Sequence, residues 1–302
     1  MIKVLLQTTI APDPDDWAIE RFSLLAACLS DARDAGGTPM FEVTARNRVS
    51  PGRPDPVLSS LHESDFDELW LFAVDVGNGL TPEDSDGINR FHRRGGGLMV
   101  TRDHMDLGSS ICRLGCGPAA AHHFHTRNED PDLSRRCIDD PYTANILWPN
   151  YHSGANGDFQ HVRIAGMPHP VLRDALSPNG LVQYLPSHPH EGSVCAPAGD
   201  PTARVILESR SAVTGRAFNL AVAFEPSADA GPAIAQSTFH HFCDYNWNIA
   251  SGAPTFVSEP PGDGMKQFPE ALRSTHQYVH NVALWLAGRL PAQGRTPGCV
   301  PQ

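Results

Sequence analysis

The sequence predicts an α/β fold, with a doubly wound, mostly parallel sheet, helices on both faces and a long loop-rich insertion. Three observations predict it. Continuously apolar runs, too hydrophobic to have a solvent face, recur at Ile2–Gln7, Asp67–Val74 and Leu98–Thr101. Helical apolar spacing or helix-start chemistry separates them, so strand and helix alternate through the first third of the chain. Such alternation calls for right-handed crossovers between parallel neighbours.

Each element has a local reason. After the first strand, Asp15–Ala32 carries apolar residues at Trp17, Ile19, Phe22, Leu25 and Leu29, a helical stripe closed by Gly36 and Gly37. Phe41–Ala45 is the second strand and Asp67–Val74 the third. Thr81, Pro82, Glu83 and Asp84 supply an N-cap, a proline at the first helical position and two acids in the first turn. That helix runs to Arg93 or Arg94, where Gly95–Gly97 ends it before Leu98–Thr101. The segment after this fourth strand, Arg102–Ser110, lies at the carboxyl edge of the sheet, where ligands of such folds bind. Its amides near Gly108–Ser110 are candidates to hold an anion. Residues 115–161 read as a polar insertion. Strands return at Val162–Ile164, Leu181–Tyr184, Arg204–Glu208, Asn219–Phe224 and Ala233–Ser237, and a last helix covers Pro269–Leu290. The expected organisation is one domain over 1–290 and a tail over 291–302.

Composition narrows the function. The 302 residues hold 23 Lys and Arg against 34 Asp and Glu, a net charge of −11. That balance disfavours nucleic acid and anionic membrane as partners and leaves a small-molecule substrate. No run approaches the ~20 apolar residues of a membrane span. The short apolar N-terminal run meets Asp13 and Pro14 too early for a signal peptide, so a soluble, cytoplasmic protein with reduced thiols is expected. A homo-oligomer is an open option. The 7 cysteines include no CxxC pair. Histidine stands out: of 15 in the chain, most fall between His104 and His241.

The order of elements resembles a known family. The Leu80–Glu83 helix start, the Arg93–Thr101 run, the Met167–Leu172 segment, the Ala233–His241 closing strand and a terminal helix ending in Trp285-Leu286-Ala287-Gly288 resemble the ThuA-like (trehalose-utilisation) branch of the class I glutamine amidotransferase-like superfamily. The resemblance covers most of residues 1–290. It implies a flavodoxin-like sheet with a pocket at the turn after the fourth strand, and a role in carbohydrate catabolism. In true amidotransferases that turn bears a nucleophilic Cys. Here it carries Arg102, Asp103 and His104, and the nearest cysteine is Cys112. A Cys-dependent glutaminase is therefore not expected. The ThuA-like branch tends to place a His at this turn, where Arg102, Asp103 and His104 all stand as candidates.

Three His-bearing turns follow strand-like runs. Asp103, His104 and Asp106 pair an imidazole with two carboxylates, a general acid–base unit. His188 and His190 share a face in an extended chain, an arrangement that holds zinc or a similar divalent metal, with Glu191 at the corner. His240 and His241 follow the closing strand; the resemblance favours one as general base or ligand, with Asp244 fixing its tautomer. The expected catalytic set is Asp103, His104, Asp106, His240 and His241. The expected metal set is His188, His190 and His240, and no other cofactor is called for. His152, Asn156, Glu191, Asp244 and Asn246 are candidate substrate-binding residues. His122, His123 and His125, Arg135 and Arg136, and the His276/His280 pair read more simply as solvated surface. The expected activity is that of a hydrolase or lyase acting on a polar, carbohydrate-related molecule. The alternative is a non-catalytic ligand-binding or partner-interaction module on the same scaffold.

Overall fold

The structure is a computed structural model that describes residues 1–139, 146–258 and 261–290; the anticipated tail lies outside the described residues. In chain order the strands and helices are β1 (Ile2–Thr8), α1 (Ser23–Ser30), β2 (Phe41–Arg46), β3 (Glu68–Phe72), α2 (Pro82–Arg93), β4 (Gly97–Thr101), α3 (Gly117–Ala121) and β5 (His122–His123). Then follow β6 (Phe159–His161), β7 (Arg163–Ile164), β8 (Tyr184–Pro186), β9 (Ser193–Val194), β10 (Ala203–Arg210) and β11 (Ala217–Phe224). The chain closes with β12 (Ala233–Gln236), α4 (Asp244–Trp247), α5 (Gly264–Gln267) and α6 (Pro269–Leu286).

Eight strands form the central sheet in the order β2-β1-β3-β4-β12-β11-β10-β7. From β2 to β12 every neighbour is parallel; from β12 to β7 every neighbour is antiparallel. The change follows from connection length. Only six residues join β10 to β11, enough for a hairpin and too few for the crossover a parallel pair needs. Two small sheets, β5-β9 and β6-β8, lie outside the main one. Among the described residues no helix is long and apolar enough to cross a membrane.

The alternation of strand side chains divides the interior into two cores. Val4, Leu6, Trp70, Phe72, Met99 and Ile234 face one side, where they pack with Leu25 and Leu29 of α1 and Tyr278, Val279 and Val282 of α6. Leu5, Leu69, Leu71, Leu98, Val100 and Ala235 face the other, with Ile88 and Phe91 of α2 and Ala119 of α3. Trp70 and Phe72 are fully buried, and each contributes about 2–3 kcal/mol of transfer free energy.

Helix α2 starts as its sequence predicts. Thr81 Oγ1 accepts from the Asp84 amide at 3.3 Å, Asp84 Oδ2 accepts from the Thr81 amide at 2.9 Å, and Pro82 opens the first turn. The helix expected over Asp15–Ala32 is shorter. A 3₁₀ turn covers Ile19–Phe22, and α1 begins only at Ser23. The reason is tertiary: Asp244 takes hydrogen bonds from the Ser23 amide at 3.1 Å and the Leu24 amide at 2.8 Å, capping the helix from across the fold. Likewise α6 stops at Leu286, with Gly288 in the left-handed region at φ 66°. The strand expected over Leu181–Tyr184 shifts to β8, because Leu181 instead bridges Arg173.

Candidate functional site

Strands β4 and β12 are hydrogen-bonded neighbours, and both deliver polar residues at their carboxyl ends. Beyond β4 come Arg102, Asp103 and His104. Beyond β12 the chain enters a 3₁₀ turn, Phe239–His241, with Thr238 Oγ1 accepting from the His240 amide at 3.2 Å. The Phe239 amide donates to the Arg102 carbonyl at 2.9 Å and ties the two exits together. The third contributor is the turn from Ser187 to Gly192. Gly192 lets it approach closely: a Cβ there would lie 2.2 Å from Arg102 Nη1 and 2.7 Å from the Asp103 carbonyl. Three segments distant in sequence thus meet at one edge of the sheet.

Asp103 is the centre of the cluster. Its Oδ2 accepts from His104 Nδ1 at 3.0 Å and lies 3.4 Å from His240 Nε2. Its Oδ1 is buried without a hydrogen-bond partner. The His188 and His240 rings stack face to face, centroids 3.3 Å apart and 3° from parallel. His188 Nδ1 bonds the His190 backbone carbonyl at 3.0 Å, His190 Nδ1 bonds Asn150 Oδ1 at 3.0 Å, and His240 Nδ1 meets the Tyr245 hydroxyl at 3.2 Å. The His104 and His190 rings lie 5.1 Å apart. The resulting hollow, about 330 Å³, has Asp103, His104, His188, His190 and His240 on its polar side. Trp17, Leu107, Ile146, Phe256 and Val257 form its apolar side.

Burial sets the charge states. It pushes the Asp103 carboxyl upward, but the adjoining His104 and His240 imidazoles outweigh it and hold the group well below the usual carboxylate range. Burial pushes His188 well below the ordinary imidazole value, and the stacked His240 ring adds to that. His240 is lowered by burial too, against the pull of Asp103. The directions for Asp103, His188 and His240 favour an ionised carboxylate beside two unprotonated rings, the state in which these side chains act as ligands.

Among the described residues, two groups of three donors come within 4.8 Å of one another, and one of them is Asp103, His188 and His240. In this group Asp103 takes the place that the sequence reading gave to His190. The orphaned Asp103 Oδ1 fits a cation, since a buried carboxylate oxygen with nothing to accept from is costly unless something satisfies it.

The other expected residues lie around or away from this cluster. His241 and Glu191 are fully buried behind it: Glu191 Oε1 accepts from His241 Nε2 at 2.9 Å and from Gln160 Nε2 at 2.9 Å, and Oε2 accepts from Ser237 Oγ at 2.5 Å. Burial raises the Glu191 carboxyl, but His241, Ser237 and Gln160 bring it below its ordinary value. His152 sits one layer out, its Nδ1 2.8 Å from the Pro189 carbonyl and its ring 6.4 Å from that of His190. Asn246 donates to the Ser187 carbonyl at 3.0 Å and steadies the His188 turn. Asp106 holds Thr126, Asn156 donates to the Arg210 carbonyl, and Asp244 caps α1. The amides expected to hold an anion are already used: Gly108 and Ser110 donate to Asp75, and Ser109 to the Asp106 carbonyl.

Trp17, Leu107, Phe256 and Val257 went unread as site residues because each looks like ordinary core or loop in sequence. Phe256 carries the one signal available, an aromatic in a stretch without apolar periodicity; it is 60% exposed.

No family model matches the chain, and no curated protein matches it. Solved structures do. A ThuA-like protein from Parabacteroides merdae matches with a TM-score of 0.47 and 13% identity over 99% of this chain and 94% of that one. A ThuA-like protein from Bacteroides uniformis matches with a TM-score of 0.42 and 12% identity over 94% of this chain and 91% of that one. A carbohydrate deacetylase matches with a TM-score of 0.41 and 13% identity over 83% of this chain and 30% of that one. Over most of its length the chain is similar to structures of ThuA-like proteins, as the sequence resemblance implied.

Proposed function

We propose that this protein is a hydrolase acting on an uncharged, polar, carbohydrate-related small molecule. It would do so in the hollow beyond β4 and β12, with a divalent metal such as zinc held by Asp103, His188 and His240. The observation that carries the proposal is the meeting of these three donors within 4.8 Å at the carboxyl edge of the sheet. The parallel half of the sheet runs β2-β1-β3-β4-β12, which supports a flavodoxin-like, doubly wound reading whose ligand sites lie at that edge.

The donor set is two imidazoles and one carboxylate, an open three-ligand arrangement found in catalytic metal sites. When bound, the ion supplies Lewis acidity at the scissile group and lowers the pKa of an attacking water. The protein does the rest. His188 Nδ1 is engaged by the His190 backbone, 3.0 Å from its carbonyl and 3.2 Å from its amide nitrogen, which leaves Nε2 as the ligand atom. Asp103 Oδ2 holds the Nδ1–H tautomer of His104, so His104 Nε2 is free to take and return a proton. Trp17, Phe256 and Val257 give a pyranose ring an apolar surface and exclude water from the polar side. Among the described residues the lining includes no Arg or Lys to meet a carboxylate or phosphate, which favours an uncharged substrate.

The test uses protein purified without a chelated-metal column. Substituting Asp103→Ala or His240→Ala should lower the zinc content by about one equivalent. The same variants should lose turnover on a panel of acylated and glycosidic sugars, while His104→Ala keeps the metal and loses rate. An unchanged metal content in both ligand variants defeats the metal reading. Sugar binding without turnover in the metal-loaded wild type replaces the enzyme by a binding module.

A further inference from the structure

We propose that His123, Asp130 and Cys195 form a second metal site, structural in role and suited to zinc, that clips the loop-rich half of the chain together. These three residues are the other group of donors within 4.8 Å of one another among the described residues. All three are buried, at 7%, 2% and 7% exposure. They come from three separate segments. His123 lies on β5, Asp130 on the loop that follows, and Cys195 just after β9, which pairs antiparallel with β5.

The donor atoms are prepared for an ion. His123 Nδ1 lies 2.8 Å from the Asn128 carbonyl, which only accepts, so the ring carries its proton on Nδ1 and presents Nε2 as a lone pair. Asn128 achieves this with a left-handed backbone, φ 42°, and is pinned there by its side chain, whose Nδ2 donates to the His122 carbonyl at 2.7 Å. Cys195 Sγ stands 3.7 Å from Asp130 Oδ2. Zinc bonds of roughly 2.3 Å to sulfur and 2.1 Å to oxygen place such a pair about 3.6 Å apart in a tetrahedral shell. Arg135 grips the Asp130 carboxylate at 2.8 and 2.9 Å and fixes its plane, and the Asp132 amide takes the second lone pair of Oδ1 at 2.9 Å, so Oδ2 is the oxygen that faces Cys195. Ser193 Oγ donates to the same Oδ2 at 3.2 Å. A dication held there would keep Cys195 as the thiolate, the form in which sulfur is a ligand.

The location gives the site a purpose. Between β4 and β10 the regular elements are two to five residues long, so little backbone hydrogen bonding within elements orders that stretch. A metal held by these three segments binds only the folded arrangement, so its binding free energy adds to that of folding. It also anchors β9, three residues beyond the His190 ring.

Sulfur distinguishes this site from the one beyond β4, whose donors are nitrogen and oxygen. Full-length protein, stripped with a chelator, is titrated with Co²⁺. Wild type and the His188→Ala variant should both develop a near-ultraviolet thiolate-to-cobalt charge-transfer band, and Cys195→Ser should lose it. His123→Ala, which keeps every thiol, should weaken the Co²⁺ affinity read from that band at least tenfold. Zinc should raise the Tm of His188→Ala and leave that of the His188→Ala/Cys195→Ser double variant unchanged. A wild-type protein that shows no band, or a band that persists in Cys195→Ser, overturns the proposal whether or not the first site holds a metal.

Discussion

Glu191 offers the sharpest test of how the His188–His190 turn is held. Its carboxylate is fully buried and accepts three hydrogen bonds, from Gln160, His241 and Ser237. Hydrogen bonds to a charged group contribute ~1.5–3 kcal/mol each. Part of that is recovered on truncation, because Gln160 also bonds the Pro186 carbonyl at 3.2 Å and His241 also bonds Gln236 at 2.7 Å. Truncation leaves buried donors that faced a charged group unpaired, and with part of the three bonds recovered we expect Glu191→Ala to lose ~4 kcal/mol. Glu191→Gln keeps the shape but turns one acceptor into a donor facing donors, and a loss of ~2 kcal/mol is expected. Urea unfolding with linear extrapolation measures both. The pH dependence has a definite sign. The folded carboxyl lies below its unfolded value, so its contribution is present above about pH 4.3 and fades as pH falls through the folded value. The gap between wild type and Glu191→Gln should therefore narrow in acid. A loss below ~1 kcal/mol for Glu191→Ala at pH 7 refutes the account of the turn as one held by buried charge.

Two further substitutions probe the scaffold. Gly87 lies where α2 crosses the chain before β3, and a Cβ there would meet the Leu58 carbonyl at 2.1 Å; Gly87→Ala should destabilise by ~1–3 kcal/mol in the same urea assay. Glu68 is buried with its Oε2 accepting from Trp70 Nε1 at 2.7 Å, and burial raises its carboxyl well above the ordinary value. Because the folded state keeps that proton, wild-type stability falls as pH rises from about 4.3 through the folded pKa, so Glu68→Gln should match wild type in acid and exceed it at pH 8.

The half of the fold legible in the sequence is the half in which local signals and tertiary packing agree. The β1, β3 and β4 runs are apolar on both faces because both faces meet a core, and the Thr81–Asp84 capping box marks α2 to the residue. The start of α1 was hidden because its cap is Asp244, more than two hundred residues away. The hairpin half of the sheet was read strand by strand, yet its direction lay in the six-residue link between β10 and β11 and not in the strands. At the site, histidines after strand ends were a sound guide, since strand ends at one edge must come together. Which face each ring takes was not legible. Adjacent His240 and His241 part company, one onto Asp103 and the other onto Glu191, because successive residues of the 3₁₀ turn point in different directions. Asp106 and Asn156 sit in suitable segments, but Thr126 and the Arg210 carbonyl claim their side chains.

The place of β12 has a consequence for biosynthesis. This strand, drawn from residues 233–236, is the wedge between β4 and β11. A chain emerging from the ribosome must wait for it with two unfinished sheet edges, each a row of open backbone groups that invites pairing with strangers. The histidine at position 240 follows the wedge by only four residues, so completion of the sheet and assembly of the pocket are one event. A nascent chain arrested short of residue 233 should be sticky and inert, and one released past the closing helix should become both well behaved and competent at the same moment.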